Sequence, residues 1–178
     1  MNGLSSAGAS SMETNVVAAL APWWDTLIMM SYLVGLFLVV LSLFDLVKEG
    51  REGGGLKTAA LGFFSGVFLL SLPAFMNMTA QTLFGTDAPS SLSYSSPAGS
   101  TYAAAVNLAV TVVMLVGVFG YIKSFILFRE SAKDGSKFVL GIWHIIGATL
   151  AVNIVEFLKI IGVTVGGSMQ TIISNVVG

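Results

Sequence analysis

The sequence predicts an all-α integral membrane protein, with four transmembrane helices arranged as two tandem hairpins behind a short N-terminal interfacial helix. Three observations lead there. Of 178 residues, 55% are hydrophobic and 10% charged, whereas an ordinary soluble domain carries roughly 25% charge, so a water-facing surface cannot be built from this chain. The apolar residues gather into charge-free runs close to the roughly 20 residues that a helix needs to cross the hydrocarbon core. Seven of the eight Lys and Arg residues fall in two short stretches, as they do when they fix the orientation of hairpins in a membrane.

Taken in order, the start MNGLSSAGASSMETN has no basic region before its apolar stretch and does not read as a secretory signal. Val16 to Trp24 ends in Pro22-Trp23-Trp24, and tryptophans favour the headgroup region, which predicts the interfacial helix. Span one is Thr26 to Phe44. The stretch Asp45 to Lys57 holds a run of three glycines that cannot sustain a helix, so the chain turns there. Span two fills Thr58 to Phe84, with Pro73 expected to kink it or end its regular part. Gly85 to Thr101, rich in Ser, Pro and Gly, is an exposed connector that divides the protein in half. Span three covers Tyr102 to Ile122, a second charged turn Lys123 to Lys137, and span four Phe138 to Val155, before an apolar C-terminal tail that reaches residue 178.

The basic residues of the turns are Lys48, Arg51 and Lys57 in the first and Lys123, Arg129, Lys133 and Lys137 in the second. The positive-inside rule puts both turns in the cytoplasm and both termini outside, as in a bacterial inner-membrane protein with periplasmic ends.

The halves also resemble each other. An offset of 82 residues pairs Leu33-Val34-Gly35 with Leu115-Val116-Gly117, Phe37 with Phe119, Ser42 with Ser124 and Arg51-Glu52-Gly53 with Lys133-Asp134-Gly135. Deleting two residues then aligns Lys57 with Lys137, and the match decays in spans two and four. Each unit holds two spans, so the copies share one orientation rather than the inverted one common in transporters.

Little here suggests covalent chemistry. With no Cys and one His, thiol nucleophiles, disulfides and zinc or iron–sulfur sites are excluded or cannot be completed. The run GREGGG lacks the GxxxxGK[ST] pattern of a phosphate-cradling loop. The chain therefore reads as a non-enzyme without a cofactor. His144, Asn153, Glu156 and Lys159 are the candidate intramembrane polar contacts, since an ionisable group at membrane depth is costly to hold. Glu156 and Lys159 are spaced to pair on one helix face, and His144 suits an interhelical hydrogen bond as well as a proton relay. Gly62 and Gly66, and again Gly162 and Gly166, have the small-xxx-small spacing that lets helices approach closely in lipid.

Trp143-His144-Ile145-Ile146-Gly147-Ala148-Thr149-Leu150-Ala151-Val152-Asn153-Ile154, with the charged loop before it, resembles the IcmC/DotE and TraQ-type membrane proteins of type IVB secretion and conjugation systems. Length, span count and the Ser-rich connector extend the likeness over most of the chain. The resemblance implies a structural subunit of a machine that moves DNA or protein between cells, and it transfers no catalytic residue. Each half is also similar to the small pilins of type IVA conjugation systems, two apolar helices around a basic turn that form a filament with phospholipid.

These readings converge on a non-enzymatic, self-associating membrane subunit of a conjugative or type IVB secretion apparatus. Its sharpest form is the pilus subunit, extracted into an extracellular filament with phospholipid as a structural component. The seven basic residues of the turns are candidate contacts for lipid phosphates or cargo. The expected partners are membrane lipid, further copies of the chain, other membrane subunits of the machine and, indirectly, cargo DNA or protein. A small channel or transporter, and an accessory inner-membrane subunit of a larger complex, remain as alternatives.

Overall fold

The computed structural model describes residues 3–52, 56–92 and 103–177, and these form seven helices. The triglycine run of the first turn and connector residues 93–101 lie outside the described residues. The helices are α1 (Gly3–Glu52), α2 (Lys57–Leu70), α3 (Leu72–Phe84), α4 (Ala103–Glu130), α5 (Ser136–Val152), α6 (Ile154–Val165) and α7 (Gly167–Val177). Helices α1 and α2 form one antiparallel pair and α4 and α5 a second, with α4 packed against both members of the first. By length and composition two segments can each cross a bilayer, Asn15–Arg51 and Ala105–Glu130, and the number rises to four if each bent helix pair is one span.

Three expectations are corrected. The interfacial helix and span one are a single helix, because Pro22 sits inside α1 without breaking it. Its fixed φ is helical and only one backbone bond is lost, while the Thr26 hydroxyl donates to the Pro22 carbonyl at 2.9 Å. Span four is not continuous, whereas span two breaks where Pro73 led to the expectation of a kink. The chain bends by 86° between α2 and α3 and by 84° between α5 and α6. The turns are also shorter than expected: Lys48 and Arg51 lie on the last turns of α1, Lys123 and Arg129 on α4, and Lys57 and Lys137 in the first turns of α2 and α5. Beyond these, the C-terminal tail is helical and folds back on itself as α6 and α7.

Each bend has a chemical cause. Pro73 opens α3 and has no N–H to give the Leu69 carbonyl, its partner in a straight helix. The Ser31 hydroxyl of α1 donates to its own Ile28 carbonyl at 2.7 Å and lies 3.3 Å from the Leu69 carbonyl, so the neighbouring helix gives that acceptor only a weak, shared contact. At the second bend no proline is needed. The Asn153 side chain donates to the Thr149 carbonyl at 2.9 Å, and its own backbone N–H reaches the same oxygen at 3.1 Å. That is the local competition by which Asn interrupts helices. Helix α2, at 14 residues, is about 21 Å long, short of the roughly 30 Å hydrocarbon core.

The bends also uncover the repeat that sequence loses in the second helices. Ser71 and Asn153, the two break residues, are separated by the same 82-residue offset as Gly35 and Gly117. A Cβ added at Gly35 would lie 2.8 Å from the Gly66 carbonyl oxygen and 2.9 Å from the Leu70 nitrogen. One at Gly117 would lie 3.0 Å from the Ala148 carbonyl oxygen and 2.9 Å from the Val152 nitrogen. Residues 66 and 70 correspond to 148 and 152 at that offset, so the backbone contact is the same in both hairpins and needs no deletion between them.

The hairpins meet through an aromatic seam. Phe125 of α4 stacks on Phe68 of α2 at 5.6 Å between ring centroids and meets Phe75 of α3 edge-on at 5.1 Å. Below the rings, the buried Tyr121 hydroxyl lies 2.7 Å from both Thr79 of α3 and Thr149 of α5, tying three helices at one point.

Gly35→Ala and Gly117→Ala should each lower stability by about 1–3 kcal/mol, since overpacking here drives a methyl into backbone that cannot swing aside. Gly147 has nothing within 4 Å of an added Cβ, so Gly147→Ala should be neutral or stabilising. Thermal melting of the detergent-solubilised protein checks all three. Tyr121→Phe should cost about 1 kcal/mol by the same measurement, the usual net worth of a hydrogen bond.

Candidate functional site: a charged cleft and an apolar belt

The charged residues of the two hairpin tips come together at one end of the bundle. Arg129 near the end of α4 reaches Asp45 near the end of α1 at 3.3 Å, which places the two tips side by side. Around this pair lies a cleft of about 540 Å³ lined by Asp45, Lys48, Glu49, Thr58, Arg129, Glu130 and Lys133. Three of these residues are cationic and three anionic. Sequence reasoning singled out the bases and missed the acids, although Asp45, Glu49, Glu130 and Asp134 stand beside them in the chain.

That balance weakens the expectation of an anion-binding face. Arg129 is paired with Asp45 and Lys137 with Glu130. Lys48, Arg51, Lys57, Lys123 and Lys133 have no ion-pair partner among the described residues. The Arg129–Asp45 side chains are 27% and 35% exposed, so the pair contributes at most about 1 kcal/mol and acts chiefly to register one tip against the other. Beyond α4, the Asp134 carboxylate accepts from the Ser136 backbone N–H at 3.0 Å and from its hydroxyl at 2.7 Å. These bonds hold its pKa below the ordinary carboxylate range and cap the start of α5.

The other candidates are scattered. Gly62 and Gly66 both face α1: an added Cβ at Gly62 would strike Ser42 Oγ, and one at Gly66 would lie 2.6 Å from Val39. Gly162 packs on Ile173 of α7, but Gly166 makes no such contact, being the turn residue after α6 with φ +67° and nothing within 4 Å. His144 is half-buried, its Nδ1 lying 2.8 Å from the Leu140 carbonyl. Asn153 is buried at the break, and its Oδ1 has no partner among the described residues. Lys159 reaches Glu156 at 3.1 Å. The part of the connector that is described does not hang free: the Ala88 N–H donates to Asn77 Oδ1 at 2.9 Å, and Leu92 is buried beside a cluster that includes Trp24. Among the described residues no group of three or more His, Cys, Asp or Glu could hold a metal.

What dominates the surface is apolar. On α1, Met29, Leu33, Leu36, Phe37, Val40 and Phe44 are exposed at helical spacing, Met29 to 64% and Phe44 to 68%. Val112, Val116 and Phe119 on α4, and Val139, Ile142 and Trp143 on α5, continue the belt. A soluble monomer rarely shows a contiguous apolar surface on this scale.

Comparison with known proteins returns no matching family, no similar curated protein and no similar solved structure. The fold and surface together define an all-helical protein, two of whose segments are long and apolar enough to span a membrane.

Because its folded pKa is depressed, Asp134 stabilises the start of α5 above the ordinary carboxylate range and loses that contribution as pH falls through the folded value. The protection of the Ser136 amide against hydrogen exchange, relative to its intrinsic rate at each pH, should therefore fall below about pH 4, and Asp134→Asn should abolish this acid dependence.

Proposed function

We propose that the protein is a non-enzymatic, self-associating structural subunit of the bacterial inner membrane, working in a conjugative or type IVB secretion apparatus. The observation that carries the first half of this reading is the apolar belt on α1, α4 and α5, combined with charge gathered mainly at one end, where acids stand among the bases. Such a surface is suited to lipid and to other helices. It offers no set of polar groups converging on a reacting atom.

The resemblance around Trp143 to Ile154 supplies the second half. Within it, the pilus subunit is the sharper form, and phospholipid the structural component that fills the belt. The bent second helices depart from a pilin hairpin of two plain helices. Yet the parallel orientation of the hairpins, joined by Arg129 and Asp45 at their tips, suits a doubled pilin unit. The channel reading gains less support. Of the intramembrane polar candidates, His144 bonds to the Leu140 carbonyl of its own helix, Asn153 to the Thr149 carbonyl and Lys159 to Glu156, each locally instead of along one path.

The positive-inside rule places the tips in the cytoplasm. Gly135→Cys should resist an impermeant thiol reagent in intact cells while Ser90→Cys reacts, and the reverse pattern would invert the topology. Electron microscopy of purified material tests the role: a filament supports the pilin, and a ring or patch supports a static machine component. The double variant Arg51→Gln with Lys133→Gln retains five tip bases to hold orientation, and it should insert normally but give reduced transfer between cells.

A further inference from the structure

The two hairpins are built alike, and the way they join leaves a matching pair of faces uncovered. Helix α4 lies in the groove between α1 and α2, with Arg129 against Gly62 and Asp45 and with Phe125 on Phe68. The same groove exists on the second hairpin, because its two helices meet through the equivalent glycine contact. There it is open: Gly117, Gly120, Trp143, His144, Gly147 and Ala151 line a hollow of about 320 Å³ on the outside of the molecule. Gly147 is exposed, whereas its counterpart at the 82-residue offset, Ser65, is 2% exposed.

The complementary face is uncovered as well. Phe125, Val118 and Met114 of α4 are buried, but their counterparts on α1, Leu43, Leu36 and Tyr32, are exposed. The residue types have changed in concert. The charged pair Arg129 and Asp45 becomes Val47 and Leu127, and the stacked pair Phe125 and Phe68 becomes Leu43 and Leu150. A charge replaced on one face alone would leave its partner unpaired in the join; here both members are apolar together.

We infer that a second copy of the chain docks head to tail, its α1 entering the α4–α5 groove of the first and repeating between molecules the join that α4 makes within one. This rests on the self-association proposed above and names the surfaces that perform it. An interface between two different faces does not stop at a dimer: it closes into a ring or continues as a helical filament, according to the rotation per copy. Close packing of small residues against an apolar helix is what drives such a join in lipid.

Because Arg129 lies against Gly62, the counterpart contact brings Val47 of one copy to His144 of the next. The chain has no cysteine, so Val47→Cys and His144→Cys can be purified separately, mixed in detergent or lipid nanodiscs and oxidised. The mixed disulfide dimer should exceed, by at least tenfold, that from His144→Cys mixed with Val163→Cys, whose site lies exposed on α6. Gly147→Leu fills the groove where the chain itself leaves space, and should weaken oligomerisation at least tenfold in mass photometry with unchanged thermal melting. If the wild-type protein assembles but the Val47–His144 dimer stays at control level, or Gly147→Leu folds and assembles normally, the copies meet elsewhere and this inference is overturned. If the wild type stays monomeric at every concentration, self-association fails, and the docking with it.

Discussion

Everything in this fold depends on two places where helix backbones touch. At Gly35 and at Gly117 the long helix of each hairpin lies directly on the main chain of its partner, with no room for a methyl group. In water, burial of side chains could hold helices together at a greater distance. In lipid the tails are as apolar as the side chains, and close van der Waals contact has to do that work. Gly62 and Gly66 extend the contact along α1, and Ala148 closes it in the second hairpin. Once the pairs are set at this spacing, α4 can lie in the first groove and the aromatic seam can form.

Such close pairing puts demands on the polar groups of the backbone. Where a helix breaks among apolar neighbours, its freed carbonyls and amides need partners, because water is not there to supply them. Side chains gather at the breaks: Ser31 lies 3.3 Å from the Leu69 carbonyl across from α1, while Ser71 and Asn153 add side-chain bonds to the Val67 and Thr149 carbonyls that their own backbone N–H groups already reach. The breaks then turn α3 and α6 almost perpendicular to the helices before them. This carries α3 over to the second hairpin, where Thr79 meets Tyr121. The same bends that shorten the spans therefore lock the halves together.

Charge has a different role. Most of it is gathered at one end, acids among bases, and the Arg129–Asp45 pair there is too exposed to add much stability. Its effect is to align the tips of the two hairpins and, on the proposed topology, to keep them on the cytoplasmic side. Between the charged end and the crossing helices α3 and α6, the outer faces of α1, α4 and α5 are apolar and uncovered.

The helical class, the apolar segments, the two basic tips and the duplication were legible in the residues themselves. Each is a property of short windows or of direct self-comparison, which hydropathy and glycine content report without three-dimensional context. Gly62 and Gly66 were legible for the same reason. The bend at Ser71 was half-legible through Pro73, but Asn153 gave no comparable signal, and only its place 82 residues after Ser71 could have found it. Gly166 and Gly162 have the same spacing on paper, yet one makes a turn and the other packs. That difference is set by which helix lies opposite, as is the fate of equivalent positions such as Ser65 and Gly147, one covered and one open. Tertiary structure alone decided these, because a repeat that joins to itself covers one of its two like faces, and nothing in the sequence of a face says whether a neighbour occupies it.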